Sequence, residues 1–177
     1  MHSKHKSEFG PLVIFTVMVF ALVSLSVPGL AGETQRFHSS TKLVDVAFEE
    51  VPAPESSGIK VYRGMMKGEA GSEEGAYLKD AQHQKSWTGI FPKDGEAKVY
   101  GYDAFTMSDG SFLLISFEGQ PSSKSEDGKG RGTWVLTTGT GRFDGASGEG
   151  KYTYIPIDET SGTKILDGEV TLTAATN

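Results

Sequence analysis

The sequence predicts an all-β protein, a single closed or nearly closed antiparallel barrel of about eight strands. Three observations lead there. Apolar residues recur with period two along segment after segment, the signature of half-buried strands. Compact turn signals separate the segments, among them Pro92-Lys93-Asp94-Gly95 and Ser108-Asp109-Gly110. Gly64, Gly101 and Gly168 fall inside strand patterns, where a sheet bends sharply or another backbone comes close, as barrel closure demands.

In chain order, Lys4 and Lys6 precede an apolar run from Leu12 to Val27, and Pro28-Gly29-Leu30-Ala31 ends it with small residues. This is the pattern of an export signal cleaved after Ala31. The run falls short of the ~20 apolar residues of a spanning helix. Residues 1–31 are therefore expected to be a signal peptide, 32–40 a polar, flexible N-terminal tail, and 41–177 the barrel domain. The address is exported, either periplasmic or extracellular, with no membrane association after cleavage.

Thr41 to Val51 alternates as a strand, with Val44, Val46 and Phe48 on one face, until Pro52 and Pro54 stop it. Ile59 to Lys67 follows, with Val61 and Met65 opposed to Lys60 and Tyr62. Ala76–Leu78 and Trp87–Phe91 read as strand, and polar Lys79–Lys85 between them as a short helical turn. Lys98–Met107 and Ser111–Glu118 pair across Ser108-Asp109-Gly110. Phe112, Leu113, Leu114 and Ile115 are consecutive, so that strand must be covered on both faces. Gly132–Thr138 leads through a glycine-rich connection to a strand at Tyr152–Ile155, and Ile165–Thr173 closes the chain.

Composition excludes several functions. The formal net charge is −6, and no basic face is visible, so phosphate backbones and anionic membrane surfaces are disfavoured partners. There is no cysteine, which removes cysteine nucleophiles, thiolate metal sites and disulfides. The acidic turns at Asp109, Asp127, Asp144 and Asp158 lack calcium-loop spacing and read as solvated turns. His38 lies in the expected tail, and His83, among Asp80, Gln82, Gln84 and Lys85, reads as a surface residue, with a general acid or base at a pocket rim as the alternative. No metal and no cofactor are expected.

The glycines at 139, 141, 145, 148 and 150 do not form a phosphate cradle. Asp144 stands where a third fingerprint glycine is required, and a Tyr/Thr strand follows instead of a helix. They read as turns and bulges of a hairpin. The same residues carry a family resemblance. Ser108-Asp109-Gly110, then Glu118-Gly119, then Gly132-Thr133-Trp134 leading into Gly139-Thr140-Gly141-Arg142-Phe143 and Gly145-Ala146-Ser147-Gly148, resembles the allene oxide cyclase-like and, more loosely, dirigent-like barrels. The likeness spans Val99 to Thr153. It implies an eight-stranded barrel, often trimeric, with a pocket at the barrel mouth. No catalytic residue of either activity maps onto a position here.

Aromatic residues supply the candidate site. Trp87, Trp134, Tyr100 and Tyr102 either pack the core and interfaces or line a cavity for a small apolar or aromatic ligand. The leading functional reading is an exported binding or interaction module for such a ligand, in a homo-oligomer that the resemblance makes a trimer. An isomerase or cyclase with an enclosed hydrophobic pocket is the enzymatic alternative. It needs a carboxylate in an apolar wall, and Glu118, closing the most apolar strand, is the candidate, with Tyr100 or Tyr102 as donor. A structural envelope protein is the third reading, drawn from the two-sided apolar strand at Phe112–Phe117.

Overall fold

Eight antiparallel strands close on themselves in sequence order, each hydrogen-bonded to the next and the last to the first. The computed structural model describes residues 32–71 and 76–173, and the expected signal segment lies outside them. The strands are β1 (Glu33–Val51), β2 (Ile59–Gly71), β3 (Ala81–Pro92), β4 (Lys98–Thr106), β5 (Phe112–Gln120), β6 (Gly130–Thr140), β7 (Ser147–Pro156) and β8 (Ser161–Leu172). Among the described residues, helix is limited to short 3₁₀ turns, and no helix is long and apolar enough to cross a membrane. The predicted barrel is therefore present, and it is fully closed.

Three local expectations are corrected. Residues 33–40 are not a tail. They form the first half of β1 and close the barrel by pairing with β8, from Glu33 opposite Leu172 to Ser40 opposite Ile165. Phe37 from this stretch is buried in the core. The polar composition misleads because two of the inward-facing, buried residues of β1, Ser39 and Thr41, are themselves polar. Next, Lys79–Lys85 is not a helical turn, because β3 is continuous from Ala81. Finally, the apolar face read from Val44, Val46 and Phe48 does not form the core: these side chains are 48%, 56% and 59% exposed. Leu43 points inward, and a β-bulge between Asp45 and Ala47 then breaks the alternation.

The two ends of the barrel differ. At one end Phe37, Leu78, Phe105, Met107, Leu113, Phe143 and Val170 pack into a continuous apolar plug. The glycine-rich stretch identified in the sequence helps to close this end. Gly141 (φ 62°) opens a 3₁₀ turn that drives fully buried Phe143 into the plug. The Arg142 backbone N–H donates to Ser111 Oγ at 3.2 Å, tying the turn to the residue just before β5.

Trp134 crosses the interior from β6. Its Nε1–H donates to the carbonyls of Lys151 (3.1 Å) and Asp167 (3.2 Å). The ring lies over Gly150 and Gly168, which face each other across β7 and β8. A Cβ on Gly168 would stand 2.6 Å from the ring and 2.2 Å from the Glu149 carbonyl oxygen, so this glycine serves close approach.

Candidate functional site

The other end of the barrel is open. Where β2, β4, β6 and β8 begin and β1, β3, β5 and β7 end, a cavity of about 700 Å³ enters the lumen. Its walls are mostly apolar and aromatic: Met66, Trp87, Phe91, Val99, Phe117 and Tyr154. Asp45, Asp158 and Glu159 stand at the rim, where the Asp45 N–H donates to the Thr160 carbonyl at 2.8 Å. Tyr152 reaches across the lumen from β7. It passes over Gly132 of β6 toward Gly119 of β5, two positions where any side chain would collide with its ring. It meets Phe117 edge to face at 5.4 Å. Tyr152 and Trp87 both line this space, and the Tyr152 hydroxyl and the Trp87 Nε1 are buried against the wall without a protein hydrogen-bond partner.

Between the cavity and the apolar plug lies a belt of buried charge. Asp103 of β4 accepts from Lys164 Nζ of β8 and from His83 Nε2 of β3, the latter at 2.8 Å. Asp103, His83 and Lys164 are all buried. Burial alone would raise the Asp103 carboxyl. The Lys164 ammonium and the His83 hydrogen bond outweigh it and hold the group well below the usual carboxylate range. Burial likewise lowers His83 and Lys164, each opposed by Asp103. With Asp103 ionised, the assigned tautomer of His83 carries its proton on Nε2, leaving Nδ1 unpartnered. The His83 ring stacks on Phe105 at 4.1 Å, facing the plug. The Lys164 ammonium sits 3.3 Å from the Phe117 ring centroid, a cation–π contact.

Lys85 is the member of this belt that reaches the cavity. Its Nζ lies 4.2 Å from the Tyr154 ring centroid and 5.5 Å from that of Phe117. Its Nζ donates to the Met66 sulfur over a long 4.0 Å. Desolvation first, and the Lys164 charge second, lower its ammonium from 10.5 to about 7.

The residues singled out in the sequence separate into three places. Trp87 lines the mouth cavity. Trp134 is a core residue with both partners of its N–H inside the barrel wall. Tyr100, Tyr102 and Glu118 lie together on the outer wall, with Glu118 directly opposite Tyr100 in the β4–β5 register. Asp103 points inward, so period two turns Tyr102 and Tyr100 outward, where they are 50% and 46% exposed. Phe117 points inward, which puts exposed Glu118 outside. His83 is not a surface residue but is 2% exposed, in the lumen. The sequence reading missed Lys85, Asp103 and Lys164. Their signal was a charge in the apolar phase of a strand: Asp103 alternates with Phe105, and Lys164 with Leu166. Among the described residues no group of three or more His, Asp and Glu is arranged to hold a metal ion.

No family model and no curated protein matches the chain. Solved structures do. The pterocarpan synthase dirigent protein PsPTS1 aligns at 18% identity over 82% of this chain and 99% of its own, with a TM-score of 0.54. The pterocarpan synthase dirigent protein GePTS1 aligns at 18% identity over 91% of this chain and all of its own, with a TM-score of 0.53. The chain thus has the dirigent-type eight-stranded barrel fold, as the resemblance of its glycine-rich stretch implied.

Proposed function

We propose that this barrel is a binding module for a small apolar or aromatic ligand, held in the mouth cavity with its polar end toward Lys85. The cavity carries the reading. Its volume of about 700 Å³ lies within the range of small-molecule sites, and its apolar walls converge on a few unpartnered polar groups. The fold shared with two pterocarpan synthases supports putting pterocarpans and related phenolics first among the compounds to test. Asp103 is an enclosed carboxylate, but its ion pair keeps it charged, which disfavours it as the acid of an isomerase.

Titration calorimetry with a panel of lipids and phenolics should find a ligand, and Trp87→Ala should weaken it about tenfold, equivalent to the loss of about 1.4 kcal/mol of wall contact. Native mass spectra of protein from its own host without a co-purifying ligand, together with a silent panel, would remove the ligand reading. The exposed Val44, Ile59, Tyr100, Tyr102 and Val135 on the outer wall support the homo-oligomer reading. Light scattering should then give a multiple of the monomer mass, and a monomer across the micromolar range would reject assembly.

A further inference from the structure

We propose that Lys85 is a nucleophilic amine that captures an apolar aldehyde or ketone as an imine on the floor of the mouth cavity. This rests on the ligand-binding reading of the cavity and names the chemical class of ligand.

The buried charges of the lumen do not balance. Among the described residues the lumen holds two buried lysines, Lys85 and Lys164, and one buried carboxylate, Asp103. Lys164 takes that carboxylate in a fully buried ion pair. The second oxygen of Asp103 is held by His83. Among the described residues no carboxylate lies within ion-pair distance of Lys85, and its surroundings are Met66, Phe117 and Tyr154. A lysine desolvated in an apolar pocket beside a second cation is the setting in which an amine becomes a nucleophile near neutral pH. The charged and titratable groups around it come from most of the wall. Asp45 of β1 and Asp103 of β4 favour its ammonium form, whereas Lys164 of β8 and the loss of water oppose it, and the latter dominate. His83 of the same strand stays neutral beside Asp103, and Tyr152, Tyr154, Asp158 and Glu159 complete the titratable lining of the cavity.

Position matters as much as basicity. Lys164 is 1% exposed, whereas Lys85 lines the open cavity, so a ligand entering the mouth meets Lys85. Tyr152 lines the same cavity, and its hydroxyl is buried beside Gly119 without a protein partner, so a turn of the side chain would present it to a ligand. Burial raises its pKa, so it stays protonated and can donate to a carbonyl oxygen. In the reaction, the Nζ lone pair forms a bond to the carbonyl carbon while the C=O π pair moves to oxygen. The two amine protons then leave with that oxygen as water, and the C=N bond remains. No oxidant or reductant is involved, and the water leaves through the mouth.

The test uses the whole purified protein, cinnamaldehyde as the aromatic aldehyde, and cyanoborohydride to reduce any imine to a stable secondary amine. At about pH 7, peptide mapping should place a single adduct at Lys85, formed at least about tenfold faster than at any exposed lysine, because ordinary lysines are almost wholly protonated there. Lys85→Met should lose that adduct, and Lys85→Arg should lose it while keeping the positive charge. Labelling spread over exposed lysines, or unchanged labelling in Lys85→Met, would overturn the proposal. Cinnamyl alcohol, which lacks the carbonyl, separates the two readings. If calorimetry shows the alcohol bound but no adduct forms at Lys85, the imine is rejected and the cavity stands. If neither occurs, the imine is rejected, and the lipid and phenolic panel decides the cavity.

Discussion

Replacing Asp103 by Asn should destabilise the barrel by about 3–5 kcal/mol, because it leaves the Lys164 ammonium buried without its counter-ion. Asn preserves the shape of the side chain, so the loss reports charge and not a cavity. Both Asp103 and Lys164 are fully buried, and relaxation cannot bring water to the stranded amine without opening the barrel wall. Urea or guanidinium unfolding measures the difference. The double variant Asp103→Asn with Lys164→Met should recover most of it, since a long apolar side chain tolerates the site that the unpaired ammonium does not. Equal loss in the single and double variants would show that the pair is not what Asp103 supports. The pH dependence has a definite sign. The folded carboxyl lies below its ordinary value of 3.8, so its contribution is fully present above that value and is lost as pH falls below it.

Lys85 should have the opposite signature. Its folded ammonium titrates at about 7 against an ordinary 10.5. Between those values the unfolded chain holds one more proton at this position than the folded chain does. Stability therefore rises with pH across that window, by about 1.4 kcal/mol per unit from this group alone. Below about 7 the slope from this group vanishes, because both states are protonated and the folded chain bears a buried charge. Lys85→Met should remove the slope and be more stable than the parent at pH 6, with the two curves converging toward pH 10. Denaturation series at several pH values give the difference curve directly. A flat difference would mean that Lys85 is ordinarily basic in the folded barrel.

The fold was more legible in the sequence than the site, and the reason is physical. Strand periodicity depends on the alternation itself, which survives when individual residues are unusual, so β4, β5 and β8 could be read within a few residues. Orientation is less secure. Val44, Val46 and Phe48 carry one apolar phase of β1 in the sequence, yet inward Ser39, Thr41 and Leu43 put Val44 outside, and the bulge after Asp45 returns Phe48 to the cavity mouth beside Trp87. The site failed for the same reason. Polar residues in a strand are ordinarily the wet face, so His83 reads as a surface residue, within a polar segment that reads as a turn and ends at Lys85. In the barrel they are the dry face, because three strands each contribute charge to one belt and satisfy part of it internally. A charge belt of this kind is visible only when strands distant in sequence are placed side by side: Asp103 and Lys164 are 61 residues apart. Tyr100, Tyr102 and Glu118 were chosen for chemical type without that constraint, and period two put all three on the outer wall together.

The pairing of β1 with β8 bears on how the barrel forms. Every other strand pairs with its neighbour in sequence, through short connections that close quickly. The seam alone joins residues as far apart as Thr34 and Thr171, whose hydroxyls lie 2.7 Å from each other across 137 residues. The length-dependent part of closing such a loop costs about 4 kcal/mol of chain entropy, taking 1.5 RT times the logarithm of its length. Until the seam forms, an eight-stranded meander has two unpaired edges and an exposed lumen in which Lys85, Asp103 and Lys164 are still hydrated. Closing the seam takes water from these charges and encloses the cavity, so the longest-range pairing of the fold is also the one that creates its chemistry.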